Sequence, residues 1–211
     1  MILLWTQRDL DIVETLTRRL RLLDTEQIER IWWPDGGSLR LVRRRLRRLV
    51  EAGLLARTIA NVHPSLRPDR PLVAWQPGQE EPDFWQLSIA ARARWSKPSI
   101  PKELYYTTRL AANLFGSSPV GDPHFTRRDR DLLLGEVYVF YRIQKPAEAA
   151  GWIGQQAWPT SAPRVKCPDV LLVNHRGGPM RAVQSAGRYR ARQLDRFHRH
   201  CATSGLPYEL W

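Results

Sequence analysis

Sequence periodicity predicts an α+β protein with a helical first part and a smaller mixed α/β second part. Apolar residues recur at helical spacing in three successive segments that end near residue 53. Strand-like runs bounded by turn residues follow those helices and return near the end of the sequence. The stretch KPSIPKE, with its two prolines, separates the two parts. We therefore predict a first domain at residues 1–96, a linker at 97–104 and a second domain at 105–211.

Capping residues divide the start of the chain into helices. Thr6 can cap the first helix while Asp9 reaches back in a shortened capping box, and the helical periodicity continues to about Leu22. Asp24 or Thr25 caps a short second helix, which ends at the turn sequence PDGGS. The sequence thus predicts two helices before the turn.

The third helix is rich in arginine. Ser38 caps it, it runs to about Ala52, and Gly53 suits a left-handed C-cap. At about 100° per residue, the apolar residues share one face and most of the arginines share the opposite face. The apolar face comprises Leu39, Val42, Leu46, Leu49 and Val50; the outer face comprises Arg40, Arg44, Arg47 and Arg48, with Arg43 and Arg45 on the flanks.

The residues after the third helix predict a two-stranded hairpin. Residues 54–60 form a strand-like run, the loop NVHPSLRPDRP is rich in turn residues, and residues 72–76 form a returning strand. Three helices followed by such a hairpin is the winged-helix arrangement. The sequence therefore predicts an N-terminal winged helix-turn-helix.

The arginines of the third helix are the candidate DNA contacts. In a helix-turn-helix protein, the helix after the tight turn enters the major groove, where guanidinium groups bind phosphate and guanine. The arginines of the hairpin loop would reach phosphate or the minor groove. The predicted DNA-binding residues are Ser38, Arg40, Arg43, Arg44, Arg47, Arg48, Arg67 and Arg70. The alternative is that arginine merely keeps an exposed helix in solution.

The charge balance favours the first interpretation. The chain has 33 Lys and Arg residues against 21 Asp and Glu residues, a formal net charge of +12 at pH 7. This excess makes a polyanion the first candidate partner and an acidic membrane surface the second. We therefore expect double-stranded DNA as the partner.

Neither a membrane segment nor a disulfide framework is predicted. No apolar run approaches membrane-spanning length, and the first residues turn polar too early for a signal peptide. The two cysteines, Cys167 and Cys201, do not define a disulfide framework. We therefore expect a reduced cytoplasmic protein, associated with the nucleoid and without membrane contact.

A fourth helix is predicted at residues 82–96. Phe84, Leu87, Ala91 and Trp95 could share one face of it. A helix after a wing either packs on its own domain or pairs two copies of the protein, and a homodimer is therefore considered. A simple connector helix is the alternative.

The second part follows the order helix, strand, strand, helix, strand. Helices are predicted at 126–143 and 188–203, and strands at 170–174, 180–185 and 207–211. With Pro168-Asp169 at the head of its first strand, this order is the skeleton of the restriction-endonuclease-like PD-(D/E)xK fold. The sequence thus predicts a small mixed α/β domain of that kind.

The nuclease motif of this second part is degenerate. An active nuclease needs two carboxylates for a hard divalent metal and a lysine two positions later to orient or activate water. Here Asp169 holds the first place, but Gln184 stands at the second acid and Ala186 at the lysine. Under the alternative that the domain is a nuclease, Glu136 could replace the missing second carboxylate, and the site would require Mg²⁺. We therefore predict a domain without catalysis, cofactor or metal.

The last helix repeats the basic pattern. Leu194, Phe197 and Cys201 make a narrow apolar face. The opposite side carries Arg188, Arg192, Arg196 and Arg199, as a second phosphate-contacting stripe or as a solvated face. His198 and His200 diverge on a helix, so they do not predict a zinc site with the two cysteines.

The joined pattern resembles the bacterial replication-relaxation family, which is associated with plasmids and other mobile elements. The resemblance rests on LTRRLRLLDTEQIERIWWPDGGSLRLVRRRLRRLVEAGLL, and more loosely on DLLLGEVY, PDVLLV and GRYRARQLDRFHRHC. It implies DNA binding in the service of replication, transfer or transcription regulation. It supplies no catalytic set, because the Glu expected near position 184 is Gln here.

Three functions remain open from the sequence. The first is a sequence-specific or structure-specific DNA-binding regulator of a plasmid or mobile element. The second is a metal-dependent nickase or nuclease that uses Asp169. The third is a protein-interaction module of a nucleoprotein assembly, in which the nine tryptophans help to form the contact surface.

Overall fold

The computed structural model describes residues 5–64, 66–117, 126–157 and 168–211, which form a mixed α+β structure. Its helices are α1 (Gln7–Glu14), α2 (Thr25–Trp32), α3 (Leu39–Glu51), α4 (Phe84–Ala93), α5 (Arg109–Leu114), α6 (Arg128–Gln144), α7 (Pro146–Ala150) and α8 (Ala191–Thr203). Its strands are β1 (Leu23–Asp24), β2 (Leu55–Val62), β3 (Val73–Trp75), β4 (Ile100–Thr107), β5 (Trp152–Gly154), β6 (Val170–Val173), β7 (Pro179–Gln184) and β8 (Tyr208–Leu210).

Local capping signals place the first three helices. The Thr6 hydroxyl accepts the backbone N–H of Asp9 at 3.3 Å, and the Asp9 carboxylate accepts the backbone N–H of Thr6 at 2.7 Å. Asp24 caps α2, and Ser38 caps α3. Gly53 has a φ of 71°, the left-handed C-cap conformation expected after α3. All three predicted helices are confirmed, and a π-helical turn at Thr15–Arg19 extends α1.

The first sheet has three antiparallel strands in the order β1-β4-β2. β2 and β4 pair along their whole length, from Leu55 opposite Thr107 to Val62 opposite Ile100. β1 lies between α1 and α2 in sequence and pairs only with Leu104 and Tyr105 of β4. The sheet therefore joins the start of the chain to residues beyond position 100.

The prediction that β2 forms a hairpin with the strand at residues 72–76 is wrong. The strand predicted at residues 72–76 exists as β3, but it pairs with β8 and not with β2. The residues between β2 and β4, including β3 and α4, are inserted between the two paired strands. Alternation within a three-residue strand identifies the strand but carries no information about its partner.

The predicted linker at residues 97–104 is also corrected, since residues 100–104 lie in β4. The linker was predicted because proline, here Pro101, usually marks the end of a helix or strand. Pro101 lies opposite Asn61 in the part of β4 that β1 does not reach. Among the described residues, no strand pairs with that edge of β4 at Pro101, and a residue without an N–H donor is tolerated at such an edge.

The second sheet has five strands in the order β3-β8-β7-β6-β5. β5, β6 and β7 form an antiparallel series, β7 and β8 are parallel, and α8 connects them. The helices and strands predicted for the second part are confirmed to within a few residues.

One buried apolar cluster takes residues from both predicted domains. It includes Ile12, Leu46, Val137, Trp152 and Trp211. A second cluster packs α4 against α8, with Phe84, Ala91 and Phe197 among its members. The two parts of the chain therefore share a core and do not pack independently.

Candidate nucleic-acid interface

The inner face of α3 fixes the orientation of the helix. Val42, Leu46 and Leu49 are completely buried, as the periodicity predicts. Leu39 is exposed, because it lies in the first turn, at a groove beside Ile59 of β2. With these buried residues turned inward, the opposite face of α3 is turned to solvent.

Four arginines of α3 are turned to solvent. Arg40, Arg44, Arg47 and Arg48 are all exposed. Within the described part of the chain, none of the four makes a hydrogen bond or ion pair through its side chain. Their hydrogen-bond donors are therefore available to an external acceptor.

The flanking arginines of α3 are occupied by carboxylates. The Arg43 Nε donates to Glu103 Oε2 at 2.9 Å, and Arg57 of β2 binds the other oxygen of Glu103 at 2.8 Å. Arg45 forms a salt bridge with buried Asp9 and donates from Nε to Asp9 Oδ1 at 2.6 Å. Arg43 and Arg45 thus tie α3 to its neighbours, and Arg43 is a weaker candidate for DNA than the sequence indicates.

The Asp9 carboxylate is held in its charged form. Burial acts to raise its pKa, but hydrogen bonds from Arg45 and Thr6 outweigh burial, so the pKa of Asp9 lies below its ordinary value. Asp9 therefore neutralises Arg45 at the flank of α3 and does not reach the four outer arginines.

The turn before α3 places an aromatic side chain beside the basic face. Gly36 has a φ of 87°. Gly37 lies so close to Trp33 that a Cβ there would approach the indole Cδ1 to 2.5 Å. The guanidinium carbon of Arg8 in α1 lies 4.6 Å from the centroid of the Trp33 ring, a cation–π contact. Two glycines are thus required, one for its backbone conformation and one for this packing.

The loop arginines Arg67 and Arg70 are both exposed. Arg67 has a φ of 43° and lies 3.5 Å from Glu26 Oε2, in the first turn of α2. The structure thus brings Arg67 to α2, and neither residue lies in a hairpin formed by β2 and β3.

Asp169 and Gln184 of the predicted degenerate nuclease motif are brought together. The Gln184 Nε2 and the backbone N–H of Ser185 donate to Asp169 Oδ2 at 2.8 and 3.0 Å. Arg130 of α6 donates from Nε to the same oxygen at 3.1 Å and forms a salt bridge with the other oxygen. Both carboxylate oxygens of Asp169 are therefore occupied by protein donors.

Glu136 does not join Asp169. Its carboxylate accepts Arg30 Nη2 at 2.6 Å on both oxygens and Gln27 Nε2 at 3.0 Å. These contacts connect α2 to α6. The residues that line the cavity at Asp169 do not include Glu136. The structure thus gives Glu136 a structural contact in place of the substitute metal-binding role considered from sequence.

Sequence reasoning missed Arg130 and Asp131 at the start of α6. Both line a small cavity of about 20 Å³ together with Asp169. Burial raises the pKa of Asp131 to about 6, against the opposing effect of Arg21, Arg130 and Arg127. The only sequence signal was the mixed-charge run RRDRD, which is also typical of an exposed helix start.

The last helix only partly retains its arginine stripe. Arg188 precedes α8, because the helix begins at Ala191, and its Nη2 lies 3.2 Å from His63 Nε2. Arg199 pairs with Asp195 at 2.8 Å. Arg192 and Arg196 are exposed, and within the described residues neither has a side-chain partner. Two of the four predicted arginines therefore remain available.

No group of three or more His, Cys, Asp or Glu residues in the described ranges could hold a metal ion. His198 Nδ1 lies 3.0 Å from the Tyr208 hydroxyl, and Cys201 is buried. Cys167 lies outside the described residues.

Comparisons with protein-family models, with curated proteins and with solved structures found no match to this chain. Of the helices that the structure describes, none has the length and apolar character needed to cross a membrane.

Proposed function

We propose that this protein binds double-stranded DNA, with α3 as the helix that enters the major groove. The observation that carries the proposal is the division of the α3 arginines. Arg43 and Arg45 are paired with carboxylates, whereas the four outer arginines have no side-chain partner among the described residues. Unpaired guanidinium groups on one helix face suit phosphate and guanine acceptors.

The order of helices and strands from α1 to β4 supports a winged helix-turn-helix. A short strand lies between α1 and α2, and two longer strands after α3 complete the antiparallel sheet β1-β4-β2. In this proposal the wing is formed by β2 and β4, with Arg67 and Arg70 in the long insertion between them. These two arginines would contact phosphate outside the major groove.

For the second part, we propose an endonuclease-like PD-(D/E)xK domain without activity. The order α6-α7-β5-β6-β7-α8-β8 and the parallel pairing of β7 with β8 support that fold. The residues do not fit a divalent metal, because Arg130, Gln184 and the Ser185 N–H already occupy Asp169. An amide at position 184 also brings no negative charge.

Pairing of two copies on a paired DNA site would suit a regulator of plasmid or mobile-element replication or transcription. α4 supports this part of the proposal, because it packs on α8 through Phe84 and Ala91 and turns other apolar residues outward. Trp85 is 65% exposed and Ile89 is 44% exposed on α4. The biological role itself rests on the resemblance in sequence.

A gel with supercoiled plasmid and Mg²⁺ tests the proposal, run once natively and once after removal of the protein. A retarded band that returns intact after deproteinisation is the expected result. Nicked or linear plasmid that disappears with Asp169→Ala would instead establish the nuclease alternative. Plasmid of unchanged mobility at low salt would reject DNA binding and favour the protein-interaction alternative.

A further inference from the structure

Beside α3 lies a depression that none of the predicted contacts explains. It has a volume of about 270 Å³ and lies between the start of α1 and the outer face of α3. Four arginines, Arg8, Arg44, Arg45 and Arg48, line it together with Thr6, and Trp33 and Leu41 form its apolar walls. We name this feature the α1–α3 pocket. It extends the basic surface of α3 onto a helix that sequence analysis did not assign to DNA.

The α1–α3 pocket concentrates positive charge. Among the described residues that line it there is no Asp or Glu. The Asp9 carboxylate is buried and bound to Arg45, one of the four arginines that line the pocket. The other three guanidinium groups repel each other unless an anion lies between them. The pocket therefore favours an anionic ligand.

Arg8 is held by a ring contact, and among the residues that the structure describes its side chain makes no hydrogen bond or ion pair. Its guanidinium lies over the face of Trp33, and the packing of Gly37 fixes the indole. A cation–π contact uses the plane of the guanidinium and none of its N–H groups. Arg8 is thus positioned in advance, with its hydrogen-bond donors available to a phosphate.

The α1–α3 pocket is continuous with the proposed major-groove face, since Arg44 and Arg48 belong to both. A ligand that contacts both is larger than a free nucleotide. The position of the pocket therefore suits a segment of DNA backbone.

We propose that the α1–α3 pocket binds a backbone phosphate of the DNA that α3 contacts, with Arg8 as its most distant ligand residue. This inference rests on the proposed DNA-binding function. Phosphate contacts position a protein on the duplex without reading its sequence. Arg8 would therefore add affinity and orientation, whereas Arg40 and Arg47 would contact the groove.

Titration of a fluorescent DNA duplex with the full chain at several salt concentrations tests the inference. Arg8→Ala is expected to weaken binding about tenfold and to lower the slope of log affinity against log salt by about 1. Arg8→Lys should recover part of the affinity because it restores the charge. Arg18→Ala is the matched control. Arg18 is 55% exposed, lies in the π-helical turn that extends α1, and does not line the pocket. Arg18→Ala should leave both affinity and slope unchanged.

The outcomes separate this inference from the proposed function. If Arg47→Ala weakens binding but Arg8→Ala behaves like Arg18→Ala, the pocket is not a phosphate site although α3 binds DNA. If the wild type does not bind the duplex, the proposed function fails and the inference fails with it. Displacement of the duplex by millimolar AMP at matched ionic strength would assign the pocket to a free nucleotide and overturn the assignment to the backbone.

Discussion

Arg30 and Glu136 join the first and second parts of the chain through one guanidinium nitrogen. The Arg30 Nη2 donates to both oxygens of the buried Glu136 carboxylate at 2.6 Å. Gln27, one turn earlier on α2, donates to the same carboxylate and to the Leu132 carbonyl at 2.8 Å. Gly135 allows this approach, because a Cβ there would lie 2.8 Å from the Gln27 amide.

Breaking this ion pair should destabilise the whole protein. Arg30→Ala leaves Glu136 buried without its cation, and we expect the free energy of unfolding to fall by about 3 kcal/mol or more. Urea unfolding followed by circular dichroism measures the loss. Arg18→Ala, which removes an exposed ion pair, should change it by less than about 1 kcal/mol. The double variant Arg30→Met with Glu136→Leu should recover most of the stability, because it removes both charges. If the double variant loses as much stability as Arg30→Ala, the loss does not come from an uncompensated buried charge.

Removing a single outer arginine from α3 should weaken DNA binding. Arg44→Ala or Arg47→Ala is expected to cost about 1–3 kcal/mol in binding free energy, measured by fluorescence anisotropy on a duplex. Arg176→Ala is a matched control, because this exposed arginine lies in the turn between β6 and β7. Unchanged affinity in both α3 variants would show that α3 is not the recognition helix.

The buried Asp131 carboxyl should make stability depend on pH. Its pKa of about 6 in the folded protein lies above the ordinary value of 3.8. As the pH rises, the unfolded chain therefore loses this proton first, and the contribution of Asp131 to stability falls by about 2 kcal/mol between pH 4 and pH 7.

Asp131→Asn provides the test, because asparagine does not titrate. We expect the stability of the variant relative to the wild type to increase from pH 4 to pH 7, as measured by urea unfolding at both values. Contributions from other groups cancel in that difference. A difference that stays constant with pH would show that the Asp131 carboxyl is not shifted by burial.

The Cys201 thiol should be inert in the folded protein. It is completely buried, and burial raises its pKa to about 12. In a Cys167→Ser variant, which leaves one thiol, we expect no reaction with a disulfide reagent at pH 8 until urea is added. Rapid stoichiometric reaction without urea would contradict the packing of α8 described above.

Local signals in the sequence were sufficient to predict the first three helices. The caps Thr6, Asp24 and Ser38 act on backbone groups within the next turn, so the residues that determine each helix start lie side by side in sequence. The inner face of α3 follows from the helical period in the same way. Both features were therefore predictable without knowledge of the tertiary structure.

Pairing between distant residues was not predictable. The periodicity of α3 identifies six arginines but cannot show that Glu103 and Asp9 occupy Arg43 and Arg45. For the same reason the partners of β2 and β3 were misassigned. Asp131 was missed because its burial depends on residues from the other part of the chain, including Arg21 and Leu20.

The pairing of β3 with β8 also has a consequence for how the chain folds during its synthesis. Val73 lies opposite Leu210, so β3 leaves the ribosome long before its partner strand exists. Contacts between residues so far apart in sequence form slowly. Trp75 of β3, which is buried in the folded protein, stays exposed until β8 arrives. A chain interrupted before β8 would thus expose an apolar strand, which is prone to aggregation.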